Sequence, residues 1–330
     1  MNTLLPPERE IKGLVSMDEA IKAVEKAFKE KAFGNVQMPS KTYLFYEVGD
    51  LRVMPCYIKT TGTSSVKIVN VHPRNYEKNL PTVMATIVLI DPETGFPKAV
   101  MGGTWITGIR TGAAGAIAVK YLAKKGSRIV SFIGAGTQAK MQFLGITQVI
   151  STLEEIRVFD IRADSLNSFL DFAESHAPGK FSLSAVSSVK EAVKDTDIII
   201  TATPSRKPIV MNEWVPEGVH FNCIGADAPG KQELDPMILK RASKIVVDDI
   251  EQAVHSGEIN VPLSKGMIRK DDIYGELGEI VAGFKKGREN DSEITVFTST
   301  GLAIQDAAVA SLVYDNAVKK GVGLRVKLVV

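Results

Sequence analysis

The chain has 330 residues, with 40 Lys and Arg against 38 Asp and Glu, and a formal net charge of +2. That balance argues against a nucleic-acid or anionic-membrane partner, and the length exceeds one ordinary core, so two domains are expected. No run of about 18 apolar residues and no basic leader followed by an apolar stretch occurs, so a soluble, cytoplasmic protein without a membrane partner is expected. Cys56 and Cys223 each lie in an apolar, strand-like run; they fit a reducing compartment and read as small buried hydrophobes.

The first element is a helix. Ser16 and Glu19 have the spacing of a capping box, apolar residues recur at helical intervals through Ala32, and Gly34 stops the run. Residues 37–100 change character: the runs 41–47, 51–58, 65–71 and 84–90 alternate apolar and polar residues. Turn signals such as Val48-Gly-Asp50, His72-Pro-Arg-Asn75 and Asp91-Pro-Glu-Thr-Gly95 separate them. An antiparallel sheet is expected there. An Ala-rich helix follows over 110–122, and then strands are expected at 129–133, 156–160, 181–186, 197–202, 219–225, 244–248 and 294–298. A capped amphipathic helix is expected over 187–197. Near-continuous apolar strands alternating with helices predict an α/β fold with a parallel sheet covered on both faces. A second Ala-rich helix and a β-prone tail, 324–330, close the chain.

The strand 129–133 runs into Gly134-Ala-Gly136-Thr-Gln-Ala139, and a second strand ends in Asp160, twenty-four residues after Gly136. A dinucleotide needs this arrangement. Gly134 permits the tight turn, Gly136 lets the backbone approach the pyrophosphate, and Ala139 lets helix and strand pack closely. The phosphates would sit over the helix start, and Asp160 would accept from the ribose hydroxyls, which favours NAD over NADP. Arg162, two residues on, could instead reach a 2′-phosphate.

Three further segments combine charge with small residues. Lys67 sits inside the strand Ser65-Val-Lys-Ile-Val-Asn70, where it is either a surface lysine or, if buried, the partner of an anion. In Gly108-Ile-Arg110-Thr111-Gly-Ala-Ala-Gly115 an arginine and a threonine open a helix of small residues, suited to phosphate or simply to close packing. Asp227 and Lys231 lie in the Gly- and Pro-held loop after the strand 219–225, where doubly wound sheets bind ligands, although a structural turn would look the same. The four histidines, His72, His176, His220 and His255, have no metal-ligand spacing, and no metal is expected.

Taken together, Lys67 with Asn70 and His72-Pro73, Leu80-Pro-Thr-Val-Met-Ala85, Arg110-Thr-Gly-Ala-Ala114, Gly134-Ala-Gly-Thr-Gln-Ala139, Gly225-Ala-Asp-Ala-Pro-Gly-Lys231 and Thr298-Ser-Thr-Gly-Leu-Ala-Ile-Gln-Asp306 resemble the ornithine cyclodeaminase/mu-crystallin family, from about residue 10 to 320. Within it the likeness is greatest to the archaeal-type alanine dehydrogenases. The resemblance implies a Rossmann NAD-binding domain over 119–301 and a discontinuous α+β domain, 1–118 with 302–330, for substrate binding and homodimer formation. Lys41 and Lys67 would hold a substrate carboxylate, Asp227 would be the acid/base, and Thr300 would touch substrate. Thr82, Arg110, Thr111, Gly136, Thr137, Gln138, Asp160, Thr203, Lys231 and Ser299 would contact the cofactor.

That family offers several activities. A cyclodeaminase acting on ornithine is expected to carry a glutamate where this chain has Arg52, and a cation there would repel the ornithine ammonium if it faces the substrate. Reductases of cyclic ketimines or pyrroline-2-carboxylate need no activated water, so Asp227 favours a deaminase. An alanine dehydrogenase is the expectation, ahead of those two rivals. A non-enzymatic, crystallin-like nucleotide binder fits less well with Lys67 and Asp227 both present.

Overall fold

The computed structural model describes residues 1–329, and the chain divides into two compact units, one of Met1–Arg110 with the chain from Leu302 onward, the other of Thr111–Gly301.

The first unit is a sheet with helices on one face. Its strands are β1 (Thr3–Leu5), β2 (Val36–Gln37), β3 (Thr42–Tyr46), β4 (Gly49–Ile58), β5 (Thr63–Val71), β6 (Val83–Ile90) and β7 (Pro97–Gly102). Sheet order runs from the C-terminal strand Leu324–Val326 through β1, β7, β6, β5 and β4, whose outer edge is shared by β2 and β3. Alternation sends Arg52, Met54, Cys56 and Ile58 of β4 and Ser65, Lys67 and Val69 of β5 to the buried face. The helix Ala303–Lys320 packs over β4, β5 and β6 and against the helix Met17–Ala32. The latter begins with both bonds of the capping box, Ser16 N–H to the Glu19 carboxylate at 2.8 Å and Glu19 N–H to the Ser16 hydroxyl at 3.3 Å.

The strands β2 to β7 pair antiparallel, as the sequence pattern suggested, and β1, which lies outside residues 37–100, runs parallel to β7, with Leu4 opposite Ala99. β1 is three residues long, too short to show alternation in the sequence. Of the tail expected to be β-prone, Leu324–Val326 pairs antiparallel with β1, and Val330 lies outside the described residues.

The second unit is a doubly wound parallel sheet of β8 (Ile129–Ile133), β9 (Glu155–Phe159), β10 (Ser182–Ala185), β11 (Ile198–Thr201), β12 (His220–Cys223), β13 (Lys244–Val247), β14 (Ile273–Glu276) and β15 (Thr295–Thr298). The order β10-β9-β8-β11-β12-β15-β13-β14 reverses direction between β8 and β11. Ligands of such sheets bind at that switch point, beyond the carboxyl ends of the strands. Every residue of β11, β12, β13 and β15 is buried, as in a parallel sheet covered on both faces. One apolar core lies on each face, around Phe221 and Val296 on one and around Phe132 and Phe143 on the other. Two details depart from expectation. The helix placed at 187–197 is only Val189–Val193, capped by Ser188 and over before Asp195, which has φ +53°. The edge strand β14 carries a glycine and a glutamate and gave no strand signal. Among the described residues no helix is long and apolar enough to cross a membrane.

Candidate active site

In the Thr111–Gly301 unit the expected cofactor residues fall beyond strand ends. Residues 134–138 follow β8, 160 and 162 follow β9, 203 follows β11, 227–231 follow β12, and 299–300 follow β15. Gly134 has φ +98°, and a Cβ on it would stand 2.8 Å from the Ala202 carbonyl oxygen, so the turn admits only glycine without strain. Gly136 is the N-cap of the helix Thr137–Val149 and makes no side-chain cap; a Cβ there would meet nothing within 4 Å. The helix therefore opens with uncapped N–H groups onto free space, the setting a pyrophosphate needs. Ala139 is fully buried in the core that also holds Phe132 and Val158. Gln138 has a buried side-chain oxygen without a hydrogen-bond partner.

Asp160 ties this corner together. One carboxylate oxygen accepts from the Ala135 N–H at 2.7 Å and the other from the Arg162 N–H at 2.8 Å. Each oxygen retains a lone pair for a further donor such as a ribose hydroxyl. A cavity beside it is lined by Gly136, Thr137, Lys140, Arg162 and Ser165.

Three carboxylates that the sequence did not single out hold the neighbouring loops. Glu233 accepts from the Thr203 N–H and hydroxyl, both at 2.7 Å, and from the Gly225 N–H at 3.0 Å. Glu258 accepts from the N–H groups of Glu233 and Leu234. Asp248 accepts from the N–H groups of Thr300 and Gly301, both at 2.7 Å, from the Thr300 hydroxyl at 3.0 Å and from Ser299 at 3.3 Å. In sequence, Glu233 looks like an ordinary charged turn residue and Asp248 like the polar end of the strand expected at 244–248; nothing local marks either as buried. The Asp227 carboxylate receives the Lys231 ammonium at 2.5 Å, and Lys231 also reaches the Gly225 carbonyl at 3.4 Å. The expected acid/base and an expected cofactor contact are thus ion-paired. Thr111 is buried, its carbonyl accepting from Gln142 at 2.8 Å.

In the other unit the centre is Lys67. It is 1 % exposed, and its ammonium lies 2.6 Å from Asp306, also 1 % exposed. Beyond this contact neither the ammonium nor that carboxylate oxygen has a hydrogen-bond partner. Arg110 donates to the other Asp306 oxygen at 3.0 Å and to Gln305 at 2.6 Å. Burial, reinforced by the nearby Arg110 charge, pushes the Lys67 pKa down to about 7 against the opposing pull of Asp306; Lys41 adds a smaller depression. The surface-lysine alternative for Lys67 is therefore excluded. In sequence Asp306 closes one of the segments that carry the family resemblance, but no role fell to it there.

Arg52 shares the buried face with Lys67 and is clasped by Asp50 through two bonds, at 2.7 and 3.2 Å, with its guanidinium 5.5 Å from the Tyr43 ring centre. Across the sheet it stands opposite Val69, two residues from Lys67. Lys41 is half-buried just before β3, and Thr82 is exposed, its carbonyl accepting from His72 at 2.9 Å.

Comparison with known proteins gives a consistent set of likenesses. The family model described as the ornithine cyclodeaminase/mu-crystallin family matches residues 1–321. The alanine dehydrogenase of Archaeoglobus fulgidus is 52 % identical over 327 residues, covering 99 % of each chain. A solved archaeal alanine dehydrogenase dimer with bound NAD superposes with a TM-score of 0.95 at 52 % identity, covering 100 % of each chain. The Thermococcus litoralis Δ1-pyrroline-2-carboxylate reductase, solved with NADH and L-proline, is 40 % identical with a TM-score of 0.94, covering 98 % of this chain and 99 % of that one.

Proposed function

The chain belongs to the ornithine cyclodeaminase/mu-crystallin family, and from that premise we propose that it is an NAD-dependent alanine dehydrogenase, taking L-alanine and water reversibly to pyruvate and ammonia. One observation carries the amino-acid half. Lys67 is a buried cation with one carboxylate beside it and hydrogen-bond donors still unused. Such a group suits a substrate carboxylate, which would complete its bonding and offset its charge. The 52 % identity to an alanine dehydrogenase over the full chain supports the choice of substrate.

The uncapped helix start after Gly136 and the lone pairs left on Asp160 support NAD as the cofactor. When bound, NAD supplies the acceptor for the hydride that leaves Cα. In this reading Gly134, Gly136, Thr137, Gln138, Asp160, Arg162, Thr203, Lys231 and Ser299 of the Thr111–Gly301 unit contact it, together with Thr82, Arg110 and Thr111. Lys67 and Lys41 bind the substrate carboxylate and fix the direction of the Cα–H bond, so orientation supplies much of the rate. Arg52 and Thr300 line the substrate. Asp227 removes a proton from the water that attacks the imino carbon and returns one to the departing amine. Lys231 holds the Asp227 carboxylate in place through their ion pair.

The unit containing β1–β7 is assigned to substrate binding and to a homodimer interface, and the protein to the cytoplasm. Leu44, Phe45 and Tyr46 of β3 and Ile68 of β5 are exposed, apolar surface that a second copy would cover. Two free, buried cysteines suit a reducing compartment.

The deciding experiment is the change in reduced-nicotinamide absorbance with a panel of L-alanine, L-ornithine and Δ1-pyrroline-2-carboxylate. L-Alanine with NAD should give the highest kcat/KM; a higher value for ornithine or for the cyclic imine would assign the chain to the corresponding rival activity.

A further inference from the structure

In the Thr111–Gly301 unit the Glu258 carboxylate sits on the Glu233 N–H at 2.9 Å; both residues are 0 % exposed, and no lysine or arginine among the described residues pairs with either. Two adjacent buried carboxylates without a cation cannot both stay ionised at modest cost. Their hydrogen bonds say which one keeps the charge. Glu233 accepts from three donors spread over both oxygens: the Thr203 N–H, the Thr203 hydroxyl and the Gly225 N–H. Three donors, one of them a hydroxyl, favour its charged form. Glu258 is different. One of its oxygens takes the Leu234 N–H at 2.7 Å and the Glu233 N–H at 2.9 Å, while the other has only a share of the Glu233 N–H at 3.1 Å. That second oxygen has room to carry a proton.

We propose that Glu233 and Glu258 form a one-proton carboxylate pair that positions the cofactor-side loops, with Glu233 ionised and Glu258 protonated. The charged Glu233 clasps the chain just after β11 and just after β12, at Thr203 and Gly225, two residues before Asp227. Glu258 in turn holds the Glu233 backbone, and its own N–H is anchored on Thr298 at the end of β15, at 2.8 Å. Three neighbouring strand ends are thereby fixed by one relay. The inference rests on the proposed roles of Thr203 in cofactor binding and Asp227 in catalysis; neither glutamate is a catalytic residue.

Burial raises the proton affinity of both carboxyls, and the Glu233 charge raises that of Glu258 further. The groups facing the pair are each other and the Cys223 thiol, itself pushed up by burial and by the acidic pair; the Lys231 ammonium, which reaches the Gly225 carbonyl at 3.4 Å, is ion-paired with Asp227 instead. A carboxyl whose folded pKa exceeds its unfolded value binds more protons folded than unfolded. Stability therefore falls as pH rises from the unfolded value of about 4.3 towards the folded one.

The test uses the full-length apoprotein and its NAD complex. In the infrared, the apoprotein at neutral pH should give the carbonyl stretch of a protonated carboxyl, and Glu258→Gln, which mimics that neutral form, should remove it. The melting temperature of Glu258→Gln relative to wild type should rise as pH increases from 5 to 9. Glu233→Gln sets an amide donor against backbone donors, and should weaken NAD binding at least tenfold more than Glu258→Gln does. Absence of the carboxyl band, its survival in Glu258→Gln, or equal losses of NAD affinity in the two variants would overturn the proposal. The infrared arm stands if Glu233→Gln does not fold. Neither readout needs an amino acid, and a wild type that fails to bind NAD would sink the functional reading while leaving the carboxyl pair to be decided.

Discussion

Lys67 and Asp306 form an ion pair at 2.6 Å with both side chains 1 % exposed, and the same carboxylate binds Arg110 through its other oxygen. Two buried cations thus share one anion. The unequal count leaves the cluster short of negative charge, which a substrate carboxylate would supply. Burial, with the Arg110 charge adding to it, brings the Lys67 pKa down to about 7 against the pull of Asp306.

Removing the shared anion should act through that titration. Asp306→Asn takes away the group that favours the Lys67 ammonium, so the Lys67 pKa should fall below about 7. A lysine pKa depressed in the fold penalises the folded state while the lysine is charged, and the penalty fades as pH rises from the folded pKa to the unfolded one. Breaking a buried pair costs about 3–5 kcal/mol. The loss in Asp306→Asn should therefore be largest near pH 6 and smaller at pH 9, measured by urea unfolding at both. The KM for alanine at neutral pH should rise as well. Equal destabilisation at both pH values would mean that Lys67 does not titrate in this range.

Asp227→Asn should lower kcat for alanine oxidation by roughly 10²–10⁴-fold. Asparagine keeps the shape and one acceptor but cannot take the proton from water. NAD affinity should change little, since Lys231 can still reach the Gly225 carbonyl. A preformed cyclic imine needs no water activation, so its reduction should survive in the variant far better than alanine oxidation. Equal loss of the two activities would make Asp227 a positioning residue only.

NAD should be preferred to NADP. Asp160 is fixed by two backbone N–H groups, so its charge stays where a 2′-phosphate would have to approach. Arg162 and Lys140 line the same cavity and oppose that repulsion. A comparison of kcat/KM for the two cofactors decides between them, and a tenfold or greater preference for NADP would show that the cations win. With NAD preferred, Asp160→Ala should narrow the gap.

The protein should be a dimer in solution at micromolar concentration. The exposed Leu44, Phe45 and Tyr46 lie on β3, at the outer edge of β4, where unpaired backbone and apolar side chains together invite a partner. Light scattering reads the mass directly, and Phe45→Lys should shift it towards the monomer. A monomeric wild type would contradict the assignment.

The parallel sheet and the glycine turn were legible in the sequence because both are local. A strand buried on both faces is mostly apolar, as Ile198–Thr201 is, and the φ of +98° at Gly134 admits little but glycine. The capping box at Ser16 and Glu19 was legible for the same reason. Alternation in β5 determined that Ser65, Lys67 and Val69 share a face, but not which face is covered. That was decided by the helix Ala303–Lys320, which brings Asp306 to Arg110 from 196 positions away. No pattern of neighbours encodes such a pairing. The same holds for Glu233, Asp248 and Glu258, whose flanking residues give no sign of their burial. Their burial, and the backbone N–H groups they satisfy, exist only once distant strand ends are assembled, because the cost of burying a charge is set by the surroundings that folding creates.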